Sequence, residues 1–77
     1  MAKCYQAYKC GMTINIVNVR KTDADAFQST GNLGLINDGG VKCVTIDYET
    51  DFESSEFFAV VDSGFDTCPT CVAAHEG

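Results

Sequence analysis

The residues of this chain with the clearest chemical potential are its five cysteines. Cys68 and Cys71 form a CxxC motif near the C-terminus, and Cys4, Cys10 and Cys43 lie earlier in the chain. Two thiols separated by two residues can bind one metal ion together, or they can form a reactive disulfide bond with each other. A tetrahedral metal site needs two further ligands, so the other cysteines decide between these chemistries.

Strand geometry limits the choice between the two N-terminal cysteines. Residues 3–10 are predicted to form a strand in which Cys4 and Cys10 face the same way, about 20 Å apart at ~3.3 Å per residue. A disulfide needs Cα atoms within about 7 Å, so these two cysteines neither bond to each other nor share an ion. Cys10 precedes Gly11 at the end of the strand, whereas Cys4 lies near the chain terminus. We therefore predict that Cys10 joins the CxxC motif.

The predicted cysteine cluster consists of Cys10, Cys43, Cys68 and Cys71, and its predicted cofactor is a structural zinc ion. Four thiolates are the ligand set of a closed tetrahedral Zn²⁺ site. The alternatives are two disulfide bonds or plain buried thiols, because free cysteine is among the most buried residue types. His75 is a candidate substitute ligand, although an exposed residue of the chain end is the simpler interpretation.

Alternating polar and apolar residues predict five β-strands that would position this cluster. The strongest pattern runs from Val44 to Glu53, with a period of two and an acidic outer face. An unbroken apolar run over residues 56–61 predicts a strand that is buried on both faces. The other strands are predicted over 3–10, 12–20 and 33–36, with a β-bulge near Ile16 and Val17, a helical turn over 22–27 and a tight turn over 37–40.

These patterns predict a single all-β domain over residues 1–77, a small barrel or sandwich of about five strands stapled by the cysteine cluster. A core of this size is marginal, so a staple is expected. Residues 72–77 are predicted to be too few for more than a turn. This argues against thioredoxin-like redox chemistry, in which the CxxC motif opens a helix and the helix dipole activates the thiol.

The charge and the residue types exclude several classes of function. The chain has 11 acidic and 5 basic residues, with a net charge of −6, which argues against binding to nucleic acid and allows a basic protein partner. No apolar run approaches the ~20 residues of a membrane span, and the first residues lack the apolar region of a secretory signal. A single histidine and the lack of a paired acid and base predict no catalytic site.

The order of features along the chain resembles a small cysteine-bearing β-module that recurs in structural proteins of tailed bacteriophages. A tyrosine-led strand, Tyr5 to Cys10, ends in a cysteine, and Cys43 enters a central strand. The stretch from Asp62 to Val72 then closes on the CxxC motif. An aromatic residue often follows the central cysteine in that module, whereas here Val44 stands there, and Cys4 is an additional cysteine.

This resemblance implies a non-catalytic virion component, made in the host cytoplasm, that binds other virion proteins. It would be a capsid decoration protein or a small neck or tail protein, present as a symmetric oligomer or in repeated copies. A second hypothesis, suggested by the acidic stripe, is a small zinc-binding regulatory module that binds a host protein. A third is a thiol-redox protein, suggested only by the CxxC motif.

Overall fold

A computed structural model describes residues 1–10, 15–26, 31–63 and 67–76 of the chain. Most of these residues lie in β-strands, which confirms the predicted all-β fold class. The elements in chain order are β1 (Ala2–Lys9), β2 (Ile16–Arg20), α1 (Lys21–Ala26), β3 (Leu33–Asn37), β4 (Val41–Ser54), β5 (Val60–Ser63) and α2 (Cys68–His75).

The five strands form one antiparallel sheet in the order β2-β1-β4-β3-β5. The sheet is not closed into a barrel, and its fold is small and sandwich-like. Strand β4 lies at the centre and is 14 residues long, so that it pairs with both β1 and β3. The predicted turn between β3 and β4 is confirmed, because Gly39 and Gly40 adopt φ values of 67° and 139° that favour glycine.

The pairing of β1 with β4 contains a large irregularity. Cys4 is opposite Phe52, but Gln6 is opposite Asp47, so β4 carries extra residues at this point. The hydroxyl of Thr50 accepts a hydrogen bond from the Gln6 N–H at 2.7 Å and donates one to the Asp47 carbonyl, also at 2.7 Å. A side chain thus replaces the missing partner of the ladder and holds the bulge in place.

The main core lies between the sheet and helix α1. The ring of Tyr5 meets the ring of Tyr48 edge-on at 5.0 Å between centroids. The Tyr5 hydroxyl donates to Asp25 Oδ1 at 2.6 Å, and the Tyr48 hydroxyl donates to the Ala24 carbonyl at 3.2 Å. Both tyrosines therefore anchor the predicted helical turn, which is confirmed as α1. The buried core residues are Tyr5, Ala7, Val19, Ala24, Ile36, Val44, Ile46 and Val60.

Two predictions about the strands are wrong. Pairing of β1 with β2 is uninterrupted from Tyr8–Ile16 to Cys4–Arg20, so β2 contains no bulge in this range. The alternation of apolar and polar residues shifts by one position here because Ile16 is an apolar residue that faces outward and is 49% exposed. No inserted residue is needed to explain the shift. The run over 56–61 is not buried on both faces, since Phe57 and Val61 are exposed and β5 begins only at Val60. Residues 12–14 of the predicted second strand lie outside the described residues.

The C-terminal prediction is also wrong. Residues 68–75 form helix α2, where only a turn was expected. Thr67 caps its N-terminus by accepting a hydrogen bond from the Thr70 N–H at 3.3 Å, and Pro69 occupies the first turn, where proline is favoured. Neither helix in the described part of the chain is long and apolar enough to cross a membrane.

Candidate functional site

The structure brings the four predicted cysteines together, but as two disulfide bonds. Cys10 is bonded to Cys68 with Cα atoms 5.5 Å apart, and Cys43 is bonded to Cys71 with Cα atoms 6.2 Å apart. Cys4, which was predicted to lie outside the cluster, retains a free thiol. This thiol is fully buried in β1, and burial raises its pKa.

The predicted zinc ion is therefore a wrong assignment. A metal site needs thiolates, and sulfur atoms that are bonded to each other have none to offer. Among the residues that the structure describes, no group of three or more His, Cys, Asp or Glu side chains is placed to hold a metal ion. His75, the candidate substitute ligand, lies exposed in the last turn of α2. The disulfide alternative, which the sequence had left open, describes the cluster correctly.

The two bridges fasten α2 to the sheet in different environments. Cys43 and Cys71 are completely buried and pack with Leu35 in a small apolar cluster of their own. Cys10 and Cys68 are partly exposed at the edge of that cluster. The hydroxyl of Thr45 lies 3.5 Å from Cys68 Sγ and is the donor of this contact, because a bonded sulfur carries no proton.

A carboxylate completes the attachment of α2. Glu76 follows the helix, and its Oε2 accepts a hydrogen bond from the Cys43 backbone N–H at 2.9 Å. This residue satisfies a peptide group beside the buried bridge. The sequence analysis missed it because it had no helix to place there. Thr67 stands immediately before Cys68, and Pro69 comes two residues after Thr67. A threonine at the N-cap with a proline in the first helical turn is the signal that could have indicated α2.

A second feature is an open groove on the outer edge of β2. It has a volume of about 550 Å³. Ile16 and Phe57 contribute exposed apolar surface, with 49% and 37% of their area accessible. Arg20 Cζ lies 6.0 Å from the centre of the Phe57 ring, within the range of a cation–π contact. The groove is lined by Ile16, Val17, Asn18, Ser55, Glu56, Phe57 and Phe58.

The residues that the structure describes cover only part of this edge. Phe58 donates its N–H to the Asn18 carbonyl at 2.8 Å and accepts from the Arg20 N–H at 3.1 Å. Peptide groups in a strand alternate between its two sides, so those of Ile16 face the same outer side as those of Asn18 and Arg20. In the described part of the chain, no backbone hydrogen bond reaches these groups of Ile16. The edge is thus closed at one end and open at the other.

The sequence does not reveal this groove, because the apolar run over 56–61 has the pattern of a buried strand. No family model, no curated protein and no solved structure matches this chain.

Proposed function

We propose that this protein is a non-catalytic structural component of a phage virion, which binds another virion protein through the open edge of β2. A capsid decoration protein or a small neck or tail protein has this role. The single observation that carries the proposal is the open part of the edge, where the outward peptide groups of Ile16 have no backbone partner among the described residues and adjoin two exposed apolar side chains.

The occupant of the groove is an extended strand of a neighbouring subunit. Such a strand gains main-chain hydrogen bonds along the edge, and apolar side chains on one face of it cover Ile16 and Phe57. The acidic net charge of −6 favours a strand that carries lysine or arginine. In a particle, many identical contacts of this kind add together, so each one can be small.

The two disulfide bonds suit a virion protein. A virion protein keeps its fold outside the cell, and the two disulfide bonds hold the C-terminal helix without a large core. The resemblance to cysteine-bearing phage modules, in the strand that ends at Cys10 and in the closing CxxC motif, points in the same direction.

The test compares two aspartate substitutions at exposed apolar residues of the sheet. Ile16→Asp places a charge in the groove, whereas Val41→Asp places one at an equally exposed site, 40% accessible, that does not line it. Both variants are expected to fold. We expect quantitative mass spectrometry of purified particles to find the wild-type chain and Val41→Asp in a fixed ratio to the capsid protein, and Ile16→Asp depleted at least tenfold.

Absence of the wild-type chain from purified particles would refute the virion role. If the chain were then recovered from cells in a complex with a host protein, a regulatory protein would be the better description. Equal incorporation of both variants would refute the assignment of the β2 edge as the binding surface.

A further inference from the structure

Each of the four bridging cysteines lies close to two others: its disulfide partner, and a second cysteine in the sheet or in α2. Cys10 follows directly in the register of β1 and β4, and its N–H donates to the Cys43 carbonyl at 2.8 Å. Residues that face each other on neighbouring antiparallel strands have Cα atoms about 4.5–5.5 Å apart, which is within the range of a disulfide bond. Cys68 and Cys71 are three residues apart on α2 and lie on the same face of one helical turn. Each cysteine therefore has two partners within reach.

We infer that the cysteine cluster is a thiol–disulfide exchange site, where a small thiol converts the pairs Cys10–Cys68 and Cys43–Cys71 into Cys10–Cys43 and Cys68–Cys71. The co-reactant is a monothiol of the glutathione class. The inference goes beyond the proposed function and does not depend on it, since none of the four bridging cysteines lines the groove.

Burial determines which bridge reacts first. An incoming thiolate reaches the partly exposed Cys10–Cys68 bond, whereas Cys43 and Cys71 have no accessible surface. Attack on Cys10 Sγ breaks the bond to Cys68, forms a mixed disulfide on Cys10 and releases the Cys68 thiolate. The released thiolate is then one helical turn from Cys71.

Two intramolecular steps complete the exchange. The Cys68 thiolate attacks Cys71 Sγ, which forms the Cys68–Cys71 bond and releases the Cys43 thiolate. That thiolate attacks Cys10 Sγ, forms the Cys10–Cys43 bond and expels the small thiol unchanged. Two disulfide bonds are present before and after, so there is no net oxidation or reduction and the thiol acts as a catalyst.

The exchange changes how α2 is held. In the first pairing both bonds join the helix to the sheet. In the second, the Cys10–Cys43 bond links two neighbouring strands of the sheet and the Cys68–Cys71 bond stays within α2. The hydrogen bond from Cys43 to Glu76 and the apolar contacts around Leu35 are among the attachments that do not need a bond to the sheet. An eight-residue helix without a covalent link to its neighbours is marginal in water, so the second pairing loosens α2 over Leu35.

Peptide mapping distinguishes the two pairings of the wild-type chain. The protein is incubated with catalytic reduced glutathione without oxygen, alkylated, and cleaved after Lys, Arg and Glu. The cysteines then lie in fragments 10–20, 43–49 and 57–76. The first pairing gives all three fragments joined in one species, whereas the second gives fragment 10–20 joined to 43–49, and fragment 57–76 alone with an internal bond.

We expect the second pattern to appear beside the first at a rate proportional to the glutathione concentration, with a final ratio of the two patterns that does not depend on that concentration. Fragment 4–9, which carries the buried Cys4 thiol, should remain unbridged throughout. Detection of the three-fragment species alone, or reduction of both bonds without the new pairing, would overturn the inference.

The variant Cys10→Ser isolates the central step without an external thiol. It leaves Cys68 free beside the Cys43–Cys71 bond. Attack by Cys68 on Cys71 moves the free thiol to Cys43, so an alkylating reagent should label fragment 43–49. Labelling confined to Cys68 would contradict the exchange. The wild-type mapping decides the question if this variant does not fold.

Discussion

The backbone N–H of Cys10 donates to the carbonyl of Cys43 at 2.8 Å, so both disulfide bonds leave the sheet from adjacent positions on neighbouring strands. They reach α2 one turn apart, which fixes both the position and the direction of the helix. Only Cys71 of this helix is buried. Covalent bonds, and not apolar burial, are therefore the main force that keeps so short a helix on the sheet.

The first prediction concerns the buried bridge. Cys71→Ser removes a bond that closes a loop with a sequence separation of 28, a constraint on the unfolded chain worth about 3.5 kcal/mol. We expect the free energy of unfolding to fall by about this amount and the thermal midpoint to fall by roughly 15 °C or more. Thermal and denaturant unfolding followed by circular dichroism measure both.

Cys4→Ala is the matched control, because Cys4 is equally buried but forms no bond. It loses the packing of its sulfur atom and a weak hydrogen bond from the thiol to the Ala2 carbonyl at 3.4 Å, together about 1 kcal/mol. A Cys71→Ser protein that kept the wild-type thermal midpoint would show that the bridge is not a stabilising element.

The sequence predicted the sheet better than the site, for physical reasons. A half-buried strand such as β4 shows its period of two directly, and the glycines after Asp38 mark its hairpin. Helix α2 has no apolar face, so periodicity does not reveal it, and its N-cap at Thr67 is a weak signal alone. The apolar run over 56–61 has the composition of a core strand. Phe57 is nevertheless exposed, because it lies at the outer edge of β2 and not inside the sheet.

The choice between zinc and disulfides also lies beyond the sequence. Both need the same four cysteines at the same end of the same strands, and they differ only in whether the sulfur atoms are bonded to each other. The exclusion of Cys4 was predictable, because strand geometry allows only one of Cys4 and Cys10 in the cluster and Cys4 lies near the chain terminus.

The second prediction concerns the bulge in β4. Thr50→Val keeps the shape of the side chain but removes the hydroxyl, so the Gln6 N–H loses its acceptor. We expect a loss of about 1–3 kcal/mol in the free energy of unfolding, and faster amide hydrogen exchange at Gln6. Thr50→Ser retains the hydroxyl and should lose much less. Equal stability of the valine and serine variants would mean that the hydrogen bond does not hold the bulge.

The third prediction concerns the close packing of β3 against β5. A Cβ atom at Gly34 would lie 3.1 Å from Val60 Cγ1 and 3.4 Å from Ile46 Cδ1, both in the core. We expect Gly34→Ala to lower the free energy of unfolding by about 1–3 kcal/mol, because it overpacks this contact. Combining it with Val60→Ala, which removes the closest methyl group, should cost less than the sum of the two single changes. Strict additivity in this double-mutant cycle would argue against the contact.

The fourth prediction concerns the pH dependence of the Tyr5 contact with α1. The hydrogen bond to Asp25, and next the burial of the ring, raise the pKa of Tyr5 above its ordinary value near 10. The folded state thus holds this proton more tightly than the unfolded chain does. The stability from the contact is complete below the ordinary pKa and is lost as the pH rises through the raised folded value.

Burial raises the pKa of Tyr48 as well, so we expect the ultraviolet absorbance of tyrosinate to show a late step on alkaline titration whose amplitude Tyr5→Phe reduces by one tyrosine. Asp25→Asn keeps an acceptor but loses the charge, so its late step should move toward ordinary tyrosine ionisation without disappearing. At neutral pH, Tyr5→Phe should lower the free energy of unfolding by about 1 kcal/mol, and the difference from wild type should shrink as the pH rises through the late step. A difference that stayed constant across that range would show that the hydroxyl stabilises the fold independently of its proton.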